Sequence, residues 1–333
     1  MASGLERRTQ LFNKFSNQLL LLKQNGIIDT TFKYARPYLC PICLTEFTEN
    51  DLQDNSSNFL TLEDAPPDSL GGSKIALTCK KCNSECGHNI DNHLTEILRA
   101  IDASYFYKGS KRFGTITHEG QKLTVELTSQ GDGTLTAYHR IKQNNPTLLD
   151  KFIFGLKNKT IGPLLNLDPP KIKFDSKRVN YAIIKAHYII TFSKFGYIFL
   201  LDKEYDAIRQ QLLNPEKEIY PWTPFIKDQF TNDKVGTYYV HNKGAESIFN
   251  IFSLKTEYSE TLIGGLLPIP TIPIEEFVKS IDGQKDNQMV LTLDTTSYDP
   301  NADLFNDIEE VKKITRWLDK TKLPLITKHS WWP

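Results

Sequence analysis

The sequence lacks a net charge. Its 40 Lys and Arg balance 40 Asp and Glu over 333 residues. That excludes a uniformly basic nucleic-acid coat protein and an acidic solvating chain. It also lacks any apolar run of about 18 residues, so no membrane-spanning helix is expected. The most apolar stretch, HYIITFSKFGYIFLL at 187–201, is interrupted by Lys194. The first residues, MASGLERRTQ, have no apolar signal core, and a cytoplasmic location is expected. Internal repeats, low-complexity tracts, a glycine-rich phosphate loop, a nucleophile elbow and a dinucleotide fingerprint are all missing. What is present is 39% apolar and 11% aromatic residues, enough to pack one large domain or two to three ordinary ones.

Cysteine is scarce and confined. Cys40, Cys43, Cys79, Cys82 and Cys86 are the only five, all within one short stretch. An odd number in a chain expected to be cytosolic argues against a disulfide framework. CPIC at 40–43 and CKKC at 79–82 are two C-x-x-C pairs. Each presents two thiolates from a tight turn, and together they supply the four-sulfur set of a structural zinc site. The 35 residues between the pairs require a small subdomain. Cys86, one helical turn past Cys82, is expected to be a buried free thiol.

Between the pairs, residues 59–62 read as a short strand ending in the adjacent carboxylates Glu63 and Asp64 and stopped by Pro66 and Pro67. Leu70-Gly71-Gly72 turns the chain, and residues 74–78 form a second strand that delivers Cys79. NSECGHNIDNHLTEILRAI then reads as a helix, with Ile90, Leu94, Ile97 and Ile101 at spacings of three and four.

CPIC, LEDAPP, the SLGG turn and LTCKKCN followed by Gly87 together resemble the HNH endonuclease family, the ββα-metal nucleases, in its branch with a four-cysteine zinc clip. The resemblance covers roughly residues 38–100. It implies that Glu63 binds a catalytic divalent ion and that Asn83 is the second ligand, from the helix. It also places Asp64 where the catalytic histidine stands and Lys74 about where a central Asn is usual. Hard oxygen donors suit Mg²⁺ or Mn²⁺. Phosphodiester hydrolysis further needs a base, for which His88, His93 and Asp64 itself are the alternatives. Ten residues separate His93 from Asn83, close to three turns of a straight helix. Lys80 and Lys81, inside the second knuckle, are expected to meet phosphate.

Charge is uneven along the chain. Residues 108–185 hold 14 basic and 6 acidic side chains; residues 1–107 hold 10 and 13, and residues 186–333 hold 16 and 21. A basic middle block is expected where one face tracks a polyanion. Residues 113–141 alternate in polarity with turns at Glu119-Gly120 and Gly131-Asp132-Gly133, an antiparallel three-stranded meander. Lys108, Lys111 and Arg112 flank it and are the expected nucleic-acid contacts.

Elsewhere, residues 5–27 read as an amphipathic helix with a Leu11, Phe12, Phe15, Leu19, Leu22 stripe, ended by Gly26, that packs on the zinc subdomain. Residues 147–178 read as loop. Residues 179–199 read as a long helix ended by Gly196, and a further helix runs from Asp202 to Asn214-Pro215. Residues 235–298 read as β-rich, with Pro268, Pro270 and Pro273 breaking central strands, and residues 307–320 as a closing helix. The expected class is α+β: an N-terminal helix and an HNH-like zinc domain in residues 1–107, then a mixed α+β region with the meander in 108–333, which binds substrate or partner.

The leading expectation is a metal-dependent HNH-type endonuclease acting on nucleic acid, DNA before RNA. The resemblance implies the setting of a prokaryotic anti-phage or mobile-element system, with a sensor, ATPase or Argonaute-like protein as partner. The alternative is a catalytically degenerate zinc-containing subunit that binds nucleic acid or protein in a multi-protein complex. A third reading is a partner subunit in which the zinc clip is purely structural.

Overall fold

The structure is a computed structural model. It describes residues 4–54, 57–118, 120–139, 144–157, 164–167, 174–201, 205–220, 225–227, 230–269, 273–284 and 292–319. The architecture is mixed α+β with an N-terminal helix and antiparallel sheets.

Helix α1 (Gly4–Gln24) buries all five residues of the expected stripe. Gly26, at φ 66°, follows its last turn. The helix lies on the first cysteine knuckle: Phe12 stacks on Tyr38 at 5.9 Å and Phe15 meets the same ring edge-on at 6.0 Å. Strands β1 (Tyr38–Leu39) and β2 (Glu46–Phe47) form the first knuckle hairpin. Strands β3 (Leu60–Ala65) and β4 (Ser73–Cys79) form a second antiparallel hairpin, with Leu60 opposite Cys79. β3 does not stop at Leu62. It carries Glu63 and Asp64 within the ladder and shifts register between them, a bulge that re-aims the second side chain. The following helix is interrupted: α2 (Lys80–Cys86), a π-helical turn over Gly87–Asp91, then α3 (Asn92–Ser104).

Strands β5 (Lys111–His118), β6 (Gln121–Ser129) and β7 (Leu135–His139) are the expected meander. The loop expected over 147–178 is corrected. Helix α4 (Pro146–Lys157) and strand β8 (Leu164–Leu167), paired with β5, occupy part of it. Pro146 stands at the first helical position, where its missing N–H costs nothing, and Asn145 Oδ1 accepts the Thr147 N–H at 2.9 Å. Phe152 of α4 then packs on Leu123, Val125 and Leu127 of β6. Residues 158–163 and 168–173 of that stretch lie outside the described residues.

Helix α5 (Ser176–Phe195) begins three residues before the expected 179–199 span and stops short of its end. It ends at Gly196, φ 61°, where a Cβ would come within 1.9 Å of Gln18 Oε1, so only glycine fits. Gln18 explains the crowding: its amide donates to Phe195 O and Leu304 O and accepts from Tyr197 N–H. Then follow α6 (Tyr197–Leu200), α7 (Asp206–Leu213), β9 (Phe225–Lys227), β10 (Gly236–Val240), β11 (Ser247–Lys255), β12 (Glu260–Pro268), α8 (Ile274–Gln284), β13 (Thr295–Ser297) and α9 (Ile308–Asp319). The sheet order is β13-β10-β11-β12-β9. Pro268 sits at the last position of β12, which keeps a proline out of the inner ladder. Phe277 and Ile281 of α8 cover Val240, Phe249, Ile251 and Leu266.

The chain folds as two compact units: residues 1–94, 176–254 and 261–333 form one, residues 95–175 and 255–260 the other. This division differs from the expected boundary at 107/108. Helix α5 packs on β3, β4 and the π turn, so the cysteine-bearing hairpin and much of the C-terminal half share one core. The meander and α4 have their own.

Candidate metal centre and the buried ion triad

The two knuckles converge. In the first, Leu44 N–H donates to Cys40 O at 2.8 Å and Cys40 N–H to Thr45 O at 3.0 Å, with Leu44 at φ 55°. In the second, Cys79 leaves β4 and caps α2, its sulfur accepting the Cys82 N–H at 3.5 Å. Cys79 N–H reaches across to Cys40 Sγ at 3.4 Å, and Cys43 and Cys79 sulfurs are 3.8 Å apart. All four sulfurs lie within 4.8 Å of one another. A tetrahedral ion with metal–sulfur bonds of about 2.3 Å separates its ligands by about 3.8 Å, so the donor set fits a metal such as zinc. Burial pushes the Cys40 thiol up, while hydrogen bonds from Cys40, Cys79 and Cys82 pull Cys43 down. Four thiolates this close need a cation among them. Cys86 stands outside the cluster, buried, 3.9 Å from Leu212 O, its thiol pushed to about 12 by burial.

Tyrosines brace the clip. Tyr197 Oη accepts from Leu39 N–H at 2.9 Å and donates to Leu39 O at 2.6 Å. Tyr188 Oη donates to Pro41 O, and Tyr38 Oη to Leu77 O, both at 2.7 Å.

Glu63 is where expected along the chain but differently engaged. Its side chain is 2% exposed, and Oε1 lies 2.6 Å from Lys185 Nζ of α5, itself 4% exposed. Oε2 accepts the Thr78 hydroxyl at 2.5 Å. Lys185 also meets Asp91 Oδ2 at 2.6 Å, with Asp91 14% exposed. Burial opposes a charged lysine, yet the two carboxylates outweigh it and hold Lys185 above its ordinary pKa. The π turn puts Asp91 there: Asn92 N–H bonds back to Gly87 O, five residues earlier, which adds one residue to the turn.

Asn83 sits on the same side of the hairpin. Its Nδ2 donates to Thr61 Oγ1 and Leu62 O, both at 2.9 Å. Thr61 precedes Glu63 by two residues in β3, and so shares its face. Thr61 Oγ1 donates to Thr78 O at 3.0 Å. Glu63 and Asn83 are thus joined through the Thr61–Thr78 rung. One Glu63 oxygen faces an ammonium and the other a hydroxyl, so in this arrangement Glu63 offers the expected Mg²⁺ or Mn²⁺ no uncompensated carboxylate, while Asn83 is tied to the strand through its amide nitrogen.

Asp64, opposite Lys74 in the ladder, is half-buried. Its Oδ1 makes no hydrogen bond, and burial, then Asp68, raises its pKa to about 6. His88 is exposed on the π turn, and His93 is half-buried on α3. The π turn breaks the straight-helix phase that would carry His93 onto the Asn83 face. Lys80 and Lys81 are exposed at the start of α2. In the second unit, Lys108 and Lys111 are exposed, with Lys111 Nζ 3.0 Å from Glu126. Arg112 points to the opposite face of β5 and lies over the Phe106 ring at 5.2 Å.

Sequence reasoning missed Lys185 and Asp91. The signal for Lys185 was present, a lone charge inside the apolar run NYAIIKAHYII, since a lysine is rarely buried unless paired. Among the described residues, no helix is long and apolar enough to cross a membrane. Compared with known proteins, the chain matches no family model, no curated protein and no solved structure.

Proposed function

We propose that this chain is a nucleic-acid-binding subunit of a multi-protein complex, built on a zinc-clipped module of HNH type that does not cut in the arrangement described. The single observation that carries the loss of cutting is the Lys185 ammonium held between Glu63 and Asp91. A cation already satisfies the carboxylate that a nuclease would offer to Mg²⁺ or Mn²⁺. The four sulfurs hold a structural zinc ion, and the exposed Lys80 and Lys81 beside it are free to meet phosphate. A place in a prokaryotic defence or mobile-element assembly, beside a sensor, ATPase or Argonaute-like protein, follows from the family resemblance alone.

The endonuclease reading keeps one supporting observation: Glu63 and Asn83 share a hairpin face, with the Asp64 carboxylate next along the strand. It requires Lys185 to withdraw. One experiment separates the two. Plasmid and oligonucleotides are incubated with the protein in Mg²⁺ or Mn²⁺ and run beside Glu63→Ala and Asn83→Ala. Binding without cleavage is the expected result. Metal-dependent nicking that both substitutions abolish would establish the nuclease instead.

A further inference from the structure

Among the described residues, the second unit carries most of the exposed large apolar side chains, Tyr105, Tyr107, Phe113, Tyr138 and Phe154 among them. Two of these stand on one sheet face. In β6, Leu123, Val125 and Leu127 point to the α4 core, so Lys122, Thr124, Glu126 and Thr128 point outward. Ladder partners share a face. Phe113 is opposite Glu126, and Glu126 is opposite Tyr138, so the two rings stand in one row across β5, β6 and β7. Phe113 is 48% exposed and Tyr138 55%. Lys111 and Lys122 lie on the same outward face, on the rungs Lys111–Thr128 and Thr117–Lys122, six residues apart along β5. That is about 20 Å of strand, the reach of a few nucleotides.

We infer that this outward face of β5–β6–β7 seats single-stranded nucleic acid, with bases stacked on Phe113 and Tyr138 and phosphates neutralised by Lys111 and Lys122. The inference deepens the nucleic-acid-binding reading above and is independent of the zinc module. Three features select this occupant. Rings in one row, two strand spacings (about 10 Å) apart, offer π-faces that unpaired bases can use. A duplex hides its base faces and would use the lysines alone. Glu126 between the rings and the hydroxyls of Thr115, Thr124 and Thr128 on the flanking rungs make the face too polar for a buried protein–protein core, which is depleted in charge. The Lys111–Glu126 pair is a surface ion pair, which a phosphate can displace at little cost.

The test is fluorescence anisotropy of labelled 15-mer oligo(dT) and oligo(rU), with a mixed-sequence 15-base-pair duplex beside them, on the full chain. Wild type should bind the single strands more tightly than the duplex. Phe113→Ala and Tyr138→Ala should each weaken binding about tenfold. Phe113→Tyr should retain it and Phe113→Leu should not, which separates stacking from plain apolar contact. Lys111→Ala with Lys122→Ala should lower the salt dependence by about two phosphates. All four side chains are exposed, and unchanged far-UV CD of each variant checks the fold. Equal binding by wild type and the ring variants would overturn this seat. If that binding instead falls with Lys80→Ala and Lys81→Ala, the binding reading survives with its site on the zinc module. No binding to any of the three probes would remove both.

Discussion

Replacing Lys185 with alanine strips the positive charge from two buried carboxylates. Both carboxylate oxygens lie 2.6 Å from the same nitrogen, so they are at most about 5 Å apart. At an effective dielectric near 20, two charges at that distance repel by about 3 kcal/mol. Removing one partner of a buried ion pair generally costs about 3–5 kcal/mol, in agreement. For a unit of this size the melting temperature should fall by about 10 °C at pH 7. The variant should also acquire a pH dependence. Burial already holds Asp91 above its unfolded pKa and Lys185 opposes that shift, so without the ammonium Asp91 rises further; its protonated carboxyl stabilises the folded state at low pH, and that contribution is lost as pH rises. The deficit against wild type should therefore be smaller at pH 5 than at pH 8. Adding Glu63→Gln and Asp91→Asn to the variant should recover part of the loss by removing the repulsion. Thermal melts followed by far-UV CD at both pH values decide the matter. A Lys185→Ala protein melting within about 2 °C of wild type at pH 7 would refute the ion-triad reasoning.

Other consequences follow from the same structure. His187 is fully buried on Phe252, with neither ring nitrogen hydrogen-bonded, and burial lowers its pKa to about 3. Its contribution is complete above the unfolded value near 6.5 and lost as pH falls toward 3, by up to about 5 kcal/mol, so urea midpoints should drop across that window and His187→Leu should flatten the slope. Removing the metal with a strong chelator should open residues 40–82 to protease, because the clip is a short hairpin pair that depends on the ion; the meander, with its own core, should stay resistant. Gly196→Ala should destabilise by about 2 kcal/mol or more, from a positive φ and a Cβ driven into Gln18, measurable as a lower urea midpoint.

What could be read from residues alone was what short-range pattern controls. The two C-x-x-C pairs announce four converging sulfurs because each pair is local and only the 35-residue gap must close. The meander is legible because polar and apolar residues alternate through Leu123, Val125 and Leu127. Helix α1 and helix α5 follow from long apolar faces ended by glycines. Helix α4 was hidden in a stretch read as loop for its prolines and lysines (IGPLLNLDPPKIKF), although Pro146 at a helix start is compatible with the first turn. The ion triad was illegible for two reasons. Lys185 and Asp91 are 94 residues apart, and the π turn shifts the helix phase, which a 3.6-residue periodicity cannot foresee. The division into two units has no local mark for a related reason: α5 returns to pack on the cysteine-bearing hairpin, a long-range event.

The central claim is that Lys185, and not a divalent ion, neutralises Glu63. Crystals grown in MnCl₂ and measured for anomalous scattering test it most directly. The account predicts one strong metal peak among Cys40, Cys43, Cys79 and Cys82, and at Glu63 only the Lys185 side chain in ordinary density. A manganese peak shared by Glu63 and Asn83, with Lys185 turned away, would contradict it.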